Sequence, residues 1–516
     1  MRRFLAPLSL LLLAAPLPAQ TLGRITFPNS GRPEAQASFI RGVLLLHSFE
    51  YEDAAQAFRQ AQQADPGFAL AYWGEAMTYT HPLWNQKDPA AARAVLERLA
   101  PTAAARREKA GTDRERLYLD AVEALYYGAG SKARQDTLYS DAMSDAALAN
   151  PDDDEARAFY ALSLMGLSQG VRNIPTYMRA GAIVEEINRR NPQHPGALHY
   201  IIHAFDDPIH APLGLFAARE YSRIAADADH AQHMTTHIFL ALGMWRETVS
   251  QNAIAAGPDT TTWRPGHYTA WHNYGLIQLG QYDAARRYLE LMRRNLASAS
   301  NAARQNYMLS MRAHYLISTE RWDDGVADWP IDAPLAAPGP KSIDAYAVGV
   351  AQLRRGRRAE AEHALARLEG IAKANQQDNL YGANPRVPAI LAGQLKAQLL
   401  WDRGKKAEAL ALLRAATADA DALPLEFGPP DIVKPTHELL GELLLADQQA
   451  VEAQREFLRG LELTPGRSLS LVGLVRAATA AGDSVAAERA RTRLEENWRD
   501  ADAGLLERTR QRAERR

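Results

Sequence analysis

Eight of the fourteen histidines fall between His199 and His272, where random scatter would place about two. Four of them form two identical pairs, His199-x3-His203 and His233-x3-His237. Residues four apart on a helix stack on one face, so each pair offers two imidazoles to one ion. Packed helix axes lie about 8–10 Å apart, close enough for pairs on neighbouring helices to share that ion. Such a set suits Zn, Cu, Ni or Fe, and an open coordination position would make a bound water nucleophilic near neutral pH. Asp206, Asp207, His210 and His230 are further ligand or outer-shell candidates. The competing reading is a polar groove whose imidazoles hydrogen-bond carbonyls or a peptide ligand. No His-Glu-x-x-His occurs, so the usual zinc-protease arrangement is missing.

The elements that must position these side chains are helices. Long 3.6-period segments broken by Pro, Gly or Asp-Pro dominate, and alternating strand patterns are absent. Residues 35–68 fit a 34-residue helix-turn-helix template, with Gly42, Leu45, Ala54, Phe58, Ala61 and Pro66 at its signature slots. Gly441, Leu444, Ala453, Phe457, Gly460 and Pro465 occupy the same slots near the C-terminus. Small residues let paired helices approach, the Phe fills the gap to the next pair, and Pro ends the second helix. Looser copies run over 113–150, 154–190, 197–228, 230–257, 267–298, 306–328, 344–376, 386–423 and 469–497.

These slots resemble the tetratricopeptide repeat (TPR) family. Several further segments resemble a group of exported bacterial TPR proteins of uncertain function. They are Leu46 to Tyr51, Ala71 to Gly74, His194 to Ala197, His203 to Pro208, His210 to Gly214, His233 to Phe239 and Phe427 to Pro430. The resemblance implies an all-α TPR-type superhelical solenoid with a long concave surface. It also implies that the slots of His199, His203, His233 and His237, and that of His47, face this groove. His267 falls near a second slot and His314 near a ninth, whereas His272 falls at a slot that faces the helix partner.

Composition narrows the rest. Arg2, Arg3 and the apolar Leu8–Ala15 run read as a signal peptide over residues 1–19, so a periplasmic or secreted location is expected. Residues 20–328 form the first array with the histidine-rich groove, 329–342 a Pro-rich connector, 343–500 the second array and 501–516 a charged tail. There is no cysteine, which excludes disulfides and thiolate metal sites. A net charge of −2 gives no footprint for nucleic acid, and no later apolar run is long enough for membrane insertion. G-x-x-x-x-G-K and G-x-G-x-x-G are absent, so no nucleotide is expected. Tyr72, Trp73 and Trp84 are candidate groove aromatics, set against the plainer role of packing between repeats. Trp263, Tyr268 and Trp271 flank His267 and His272 and either close the groove or fill the core.

The expected protein is an exported TPR-type binding protein that takes a peptide, protein or small ligand in its groove and carries a polyhistidine metal site there. The alternative is a metal-dependent hydrolase or oxidase built on the same solenoid.

Overall fold

The computed structural model describes residues 21–169, 171–257, 263–374, 384–425 and 427–507. The expected signal peptide and residues 508–516 of the expected tail lie outside them. Twenty-four α-helices follow one another among the described residues, with one minimal hairpin, Thr80–His81 against Gln86–Lys87. Each helix packs mainly on its neighbours in sequence, which makes the architecture an all-α solenoid of the TPR type. None of the described helices is long and apolar enough to cross a membrane.

The repeat slots explain how the coils fit. Phe58 is fully buried between Gly42 and Gly74, and a Cβ on Gly42 would come within 2.8 Å of its ring. Phe457 sits the same way between Gly441 and Gly473, with 2.9 Å at Gly441. One aromatic ring thus wedges three successive helices, and glycine leaves room for it. Truncating such a wedge leaves a cavity the helices cannot close. Phe457→Ala should therefore lower stability by about 3–5 kcal/mol, read as a lower urea midpoint of the C-terminal repeats.

Most of the looser copies are helix pairs as well; 306–328 is not, since Ala302–Thr319 is followed there only by the 3-10 turn Val326–Asp328 and pairs instead with Pro338–Arg354. The pairs include Asp113–Tyr127 with Lys132–Ala149, Asp154–Gly166 with Ile174–Arg190, and Pro195–Ala204 with Ala211–Ile224. Asp229–Ala241 with Trp245–Ala256 and His267–Gln278 with Tyr282–Ser298 continue the series. Within the Pro-rich stretch, residues from Pro338 onward are already helix, because Pro suits the first helical turn. Ala302–Thr319 packs on Pro338–Arg354 across that stretch, and Arg312 forks onto the Asp344 carboxylate at 2.6 Å from both nitrogens.

The C-terminal coils also touch the central ones directly. Trp245 Nε1 donates to the Gly466 carbonyl at 2.9 Å, and Ser468 Oγ donates to the Gln278 carbonyl at 2.6 Å. Gly243, at φ +66°, makes the turn after Asp229–Ala241, and its carbonyl accepts from Arg493 at 3.0 Å. Beside these contacts, Gly428 lies against Trp271 on the His267–Gln278 helix.

Candidate metal centre

Three successive first helices carry the histidines: Pro195–Ala204, Asp229–Ala241 and His267–Gln278. Local sequence fixes the first of them. His194 caps its N-terminus by accepting from the Ala197 N–H at 3.1 Å, and Pro195 fills the first turn. Arg172 closes the other end, donating to the carbonyls of His203 at 2.8 Å and Ala204 at 2.7 Å.

The imidazoles gather around two points. His199, His203 and His230 place one ligand atom each within 4.8 Å of one another, and so do His233, His237 and His267. Asp229–Ala241 contributes to both sets. The sets adjoin: the rings of His203 and His237 are 5.8 Å apart between centroids, and those of His230 and His233 are 6.0 Å apart.

Hydrogen bonds fix which nitrogen each ring presents. His199 Nδ1–H donates to the His47 carbonyl at 2.6 Å, which leaves Nε2 a bare lone pair. His233 Nδ1–H donates to Asn252 Oδ1 at 2.7 Å. The Asn252 amide is oriented for this by donating its own N–H groups to Thr236 Oγ1 and the Thr248 carbonyl. His237 Nδ1–H donates to Asp206 Oδ2 at 2.5 Å. These outer contacts are of the kind that set tautomer and ring angle in metal sites.

The consequence is sharpest in the second set. The His233 and His237 Nε2 atoms lie 3.1 Å apart, yet both rings spend their N–H on outer partners. Two acceptors then face each other with no proton between them, an arrangement that a shared cation would satisfy. Tetrahedral ligands at about 2.0–2.1 Å from an ion are roughly 3.3 Å apart, close to the spacing observed. In the first set His199 and His203 Nε2 are also 3.1 Å apart, with the His199 Nδ1–H spent on the His47 carbonyl. His230 Nε2 is buried there without a partner, its Nδ1 lying 3.3 Å from Tyr268 Oη.

Burial favours the neutral form of five of these rings. It pushes His199, His203, His230 and His233 well below the ordinary imidazole value, and the neighbouring histidines push the same way. His267 falls to about 3 from the same causes. Neutral imidazole is the ligating form. A histidine whose folded value lies below its unfolded value of about 6.5 binds fewer protons when folded. Its contribution to stability is whole above pH 6.5 and is lost as pH falls through that value. The metal-free protein should lose up to about 1.4 kcal/mol per pH unit for each such group below that point, measured as a falling thermal midpoint between pH 7 and pH 5.

Aromatic rings cover the centre. Trp271 lies against His237 at 4.3 Å and His233 at 4.9 Å, and Tyr268 against His233 at 4.6 Å. Phe427, from the C-terminal half, stacks on His237 at 5.4 Å. Phe49 packs on His199 at 4.3 Å and is held at φ +56°, a left-handed conformation that costs a bulky residue on the order of 1–3 kcal/mol.

Other expected site residues lie elsewhere. The His47 ring is outside both sets: its Nε2–H donates to Glu155 Oε2 at 2.6 Å and its Nδ1 accepts from Tyr200 at 3.0 Å. Its link to the centre is its backbone carbonyl. With Glu155 and His194 it forms a third compact group, in which His194 Nε2 lies 3.3 Å from Glu155 Oε1. Asp207 holds Arg172 and the His210 ring and accepts from the His210 backbone N–H just ahead of the next helix, so neither Asp207 nor His210 reaches the centre. His272 donates Nδ1–H to the Val249 carbonyl at 3.0 Å, on the second helix of the preceding pair, and packs on Tyr288 of its own partner helix. His314 packs against Tyr274 and lies outside both sets. Tyr72 and Trp73 are buried in the repeat core, Trp73 among Phe27, Tyr118 and Phe159. Trp84 does approach, at 5.9 Å from His230, whereas Trp263 packs on Tyr288.

His230, expected above as a further ligand or outer-shell candidate, is a full member of a set; its spacing of three before His233 puts it on the same face. Asn252, Phe49 and Phe427 had no sequence signal of comparable strength.

No family model matches the chain, and no curated protein matches it. Among solved structures, it is similar to a human IFIT1 dimer with PPP-AAAA at 14% identity and a TM-score of 0.39, covering 88% of this chain and 94% of that one. It is also similar to the P58(IPK) TPR domain at 13% identity and a TM-score of 0.22, covering 87% and 99% respectively. Scores this low carry no argument about activity.

Proposed function

We propose that this chain is an exported TPR-type metalloprotein whose two adjoining histidine sets hold a pair of transition-metal ions, Zn, Cu, Fe or Ni, facing a ligand-binding groove. The observation that carries this reading is the His233–His237 contact, two lone pairs aimed at each other at 3.1 Å. It is supported by the 3.1 Å approach of the His199 and His203 Nε2 atoms and by the unpartnered His230 Nε2. Export rests on the leader-like residues 1–19.

Three imidazoles leave each ion short of four-coordination, so a small ligand can enter. That open position favours the second reading, a metal-dependent hydrolase or oxidase, over simple structural sites, which are closed. The aromatic cover of Trp271, Tyr268 and Phe427 would keep such a position dry and select a small guest.

Elemental analysis of protein purified without a histidine tag tests the reading. Two ions per chain are expected, and their removal by chelator should lower the thermal midpoint, because an ion at 1,000 times its Kd stabilises by about 4 kcal/mol. A chain that remains metal-free after incubation with each of the four metals would refute the proposal.

A further inference from the structure

The hairpin breaks the regular succession of helices, and a cavity lies beside it. After Ala69–Met77 the chain runs through Thr80–His81 and Gln86–Lys87 before the next helix, Pro89–Leu99, begins. Pro82, between the two strands, rests on Gly166, where a Cβ would come within 2.8 Å of it. Thr80 and Pro82 line the cavity from the hairpin side, and Leu46, Met77, Leu125, Phe159 and Leu162 form its apolar walls. The space is about 540 Å³, open mouth included. We propose that this cavity binds a small neutral molecule, one substituted ring in size and carrying a single hydroxyl or carbonyl oxygen, with Tyr139 Oη as its polar anchor.

Tyr139 supplies the reason for a ligand. It lines the cavity and is 7% exposed, and its hydroxyl has no hydrogen-bond partner among the described residues. Buried hydroxyls in folded proteins are nearly always paired, so one that lines a cavity points to a guest that completes it. Burial pushes the Tyr139 phenol above its ordinary value, which keeps the proton on and makes the group a donor to a guest oxygen. The same oxygen can accept from a guest hydroxyl.

The other polar groups set the charge of the guest. Asp136, which also lines the cavity, accepts from Lys132 at 2.5 Å, Gln169 at 3.0 Å and Lys87 at 3.3 Å. Lys87 further donates to the Leu125 carbonyl and Gln135 Oε1, and Ser163 Oγ donates to the Tyr160 carbonyl. Both lysines are thus held by Asp136, and an anion would have to break those pairs to be compensated. Apolar walls with one placed polar group suit a neutral guest. Because the volume counts the mouth and the crevices between atoms, a single ring is the body that fits. Phe49 closes one side of the cavity and also packs on His199 at 4.3 Å. The site therefore adjoins the first histidine set without using any of its nitrogens, and it stands independently of the metal reading.

Calorimetric titration of the untagged protein with p-cresol tests the proposal. One molecule per chain is expected to bind, before and after treatment with chelator. Toluene, which lacks only the hydroxyl, should bind about tenfold more weakly, the worth of one hydrogen bond. Tyr139→Phe should erase that difference by weakening p-cresol to the level of toluene. Leu162→Trp fills the cavity with an indole and should abolish binding of both probes, with thermal unfolding measured alongside. Tyr139→Phe removes a single atom, so it keeps the test decisive if Leu162→Trp does not fold. 4-Hydroxybenzoate, the same phenol bearing a carboxylate, should bind more weakly than p-cresol. Absence of p-cresol binding, a preference over toluene that survives Tyr139→Phe, or unchanged binding in folded Leu162→Trp would overturn the site. Tighter binding of 4-hydroxybenzoate than of p-cresol would overturn the neutral class of guest.

Discussion

His237→Ala will lose the ion of the second set and keep the other, so metal content falls from two ions per chain to one. The loss in affinity at that set should exceed the roughly 10–100-fold that removal of an outer-shell partner costs. The variant deletes a ligand and strands Asp206, whose Oδ1 already has no partner. Asp206→Asn belongs in the lower range, since the amide can still accept from His237 Nδ1 but no longer supplies charge. His272→Ala is the control that separates ligation from burial. It is a similarly buried histidine on the helix that carries His267, but its Nδ1 is spent on the Val249 carbonyl. It should retain both ions. Metal titration of the three variants, with circular dichroism to confirm helicity, checks the order. Equal loss in His237→Ala and His272→Ala would show that the histidines act as packing.

The fold was legible because each repeat writes its own packing rule. Gly42, Phe58 and the slots around them state a local steric problem that the helices solve within one repeat, and Gly441 with Phe457 states it again. Because each coil packs on its neighbours, pattern and contact stay close in sequence. The facing histidine pairs were legible for the same reason, since i,i+4 spacing is a property of one helix. What sequence could not reveal lies between coils. The division of the rings into two sets depends on how Pro195–Ala204, Asp229–Ala241 and His267–Gln278 are offset along the superhelix. The His47 carbonyl and Phe427 reach the centre across 152 and 190 residues of chain, counting from His199 and His237 respectively. His47 was misleading in a specific way: the repeat template implies a groove-facing slot, but the residue is fully buried and Glu155 on a nearby coil holds the ring.

Glu438→Ala should be the most damaging single substitution outside the metal centre. Glu438 is fully buried, and its carboxylate receives Arg467 Nε at 2.8 Å, Arg467 Nη2 at 3.2 Å and Lys434 Nζ at 3.1 Å. Arg467 is itself fully buried and reaches Tyr274 Oη at 3.3 Å, so this network joins the C-terminal coils to the helix that carries His267. Removing one member of a buried ion pair typically costs about 3–5 kcal/mol, because the remaining charge is left uncompensated. Glu438→Gln keeps the volume and removes the charge, so a similar loss there would assign the effect to electrostatics. Burial pushes the Glu438 carboxyl up, but Arg467 and Lys434 outweigh it and hold the group at about 2. Its contribution is therefore present above the unfolded carboxylate value and is lost as pH falls toward 2. The loop bearing Phe427 leads directly into the Glu438 helix, Thr436–Ala446. Loosening that helix should lift the aromatic cover from His237, and the second ion should dissociate faster even at neutral pH. A urea midpoint and a metal off-rate measured on the same sample would show whether the two effects travel together. A large fall in stability with an unchanged off-rate would mean that the C-terminal coils hold the solenoid closed without guarding the site.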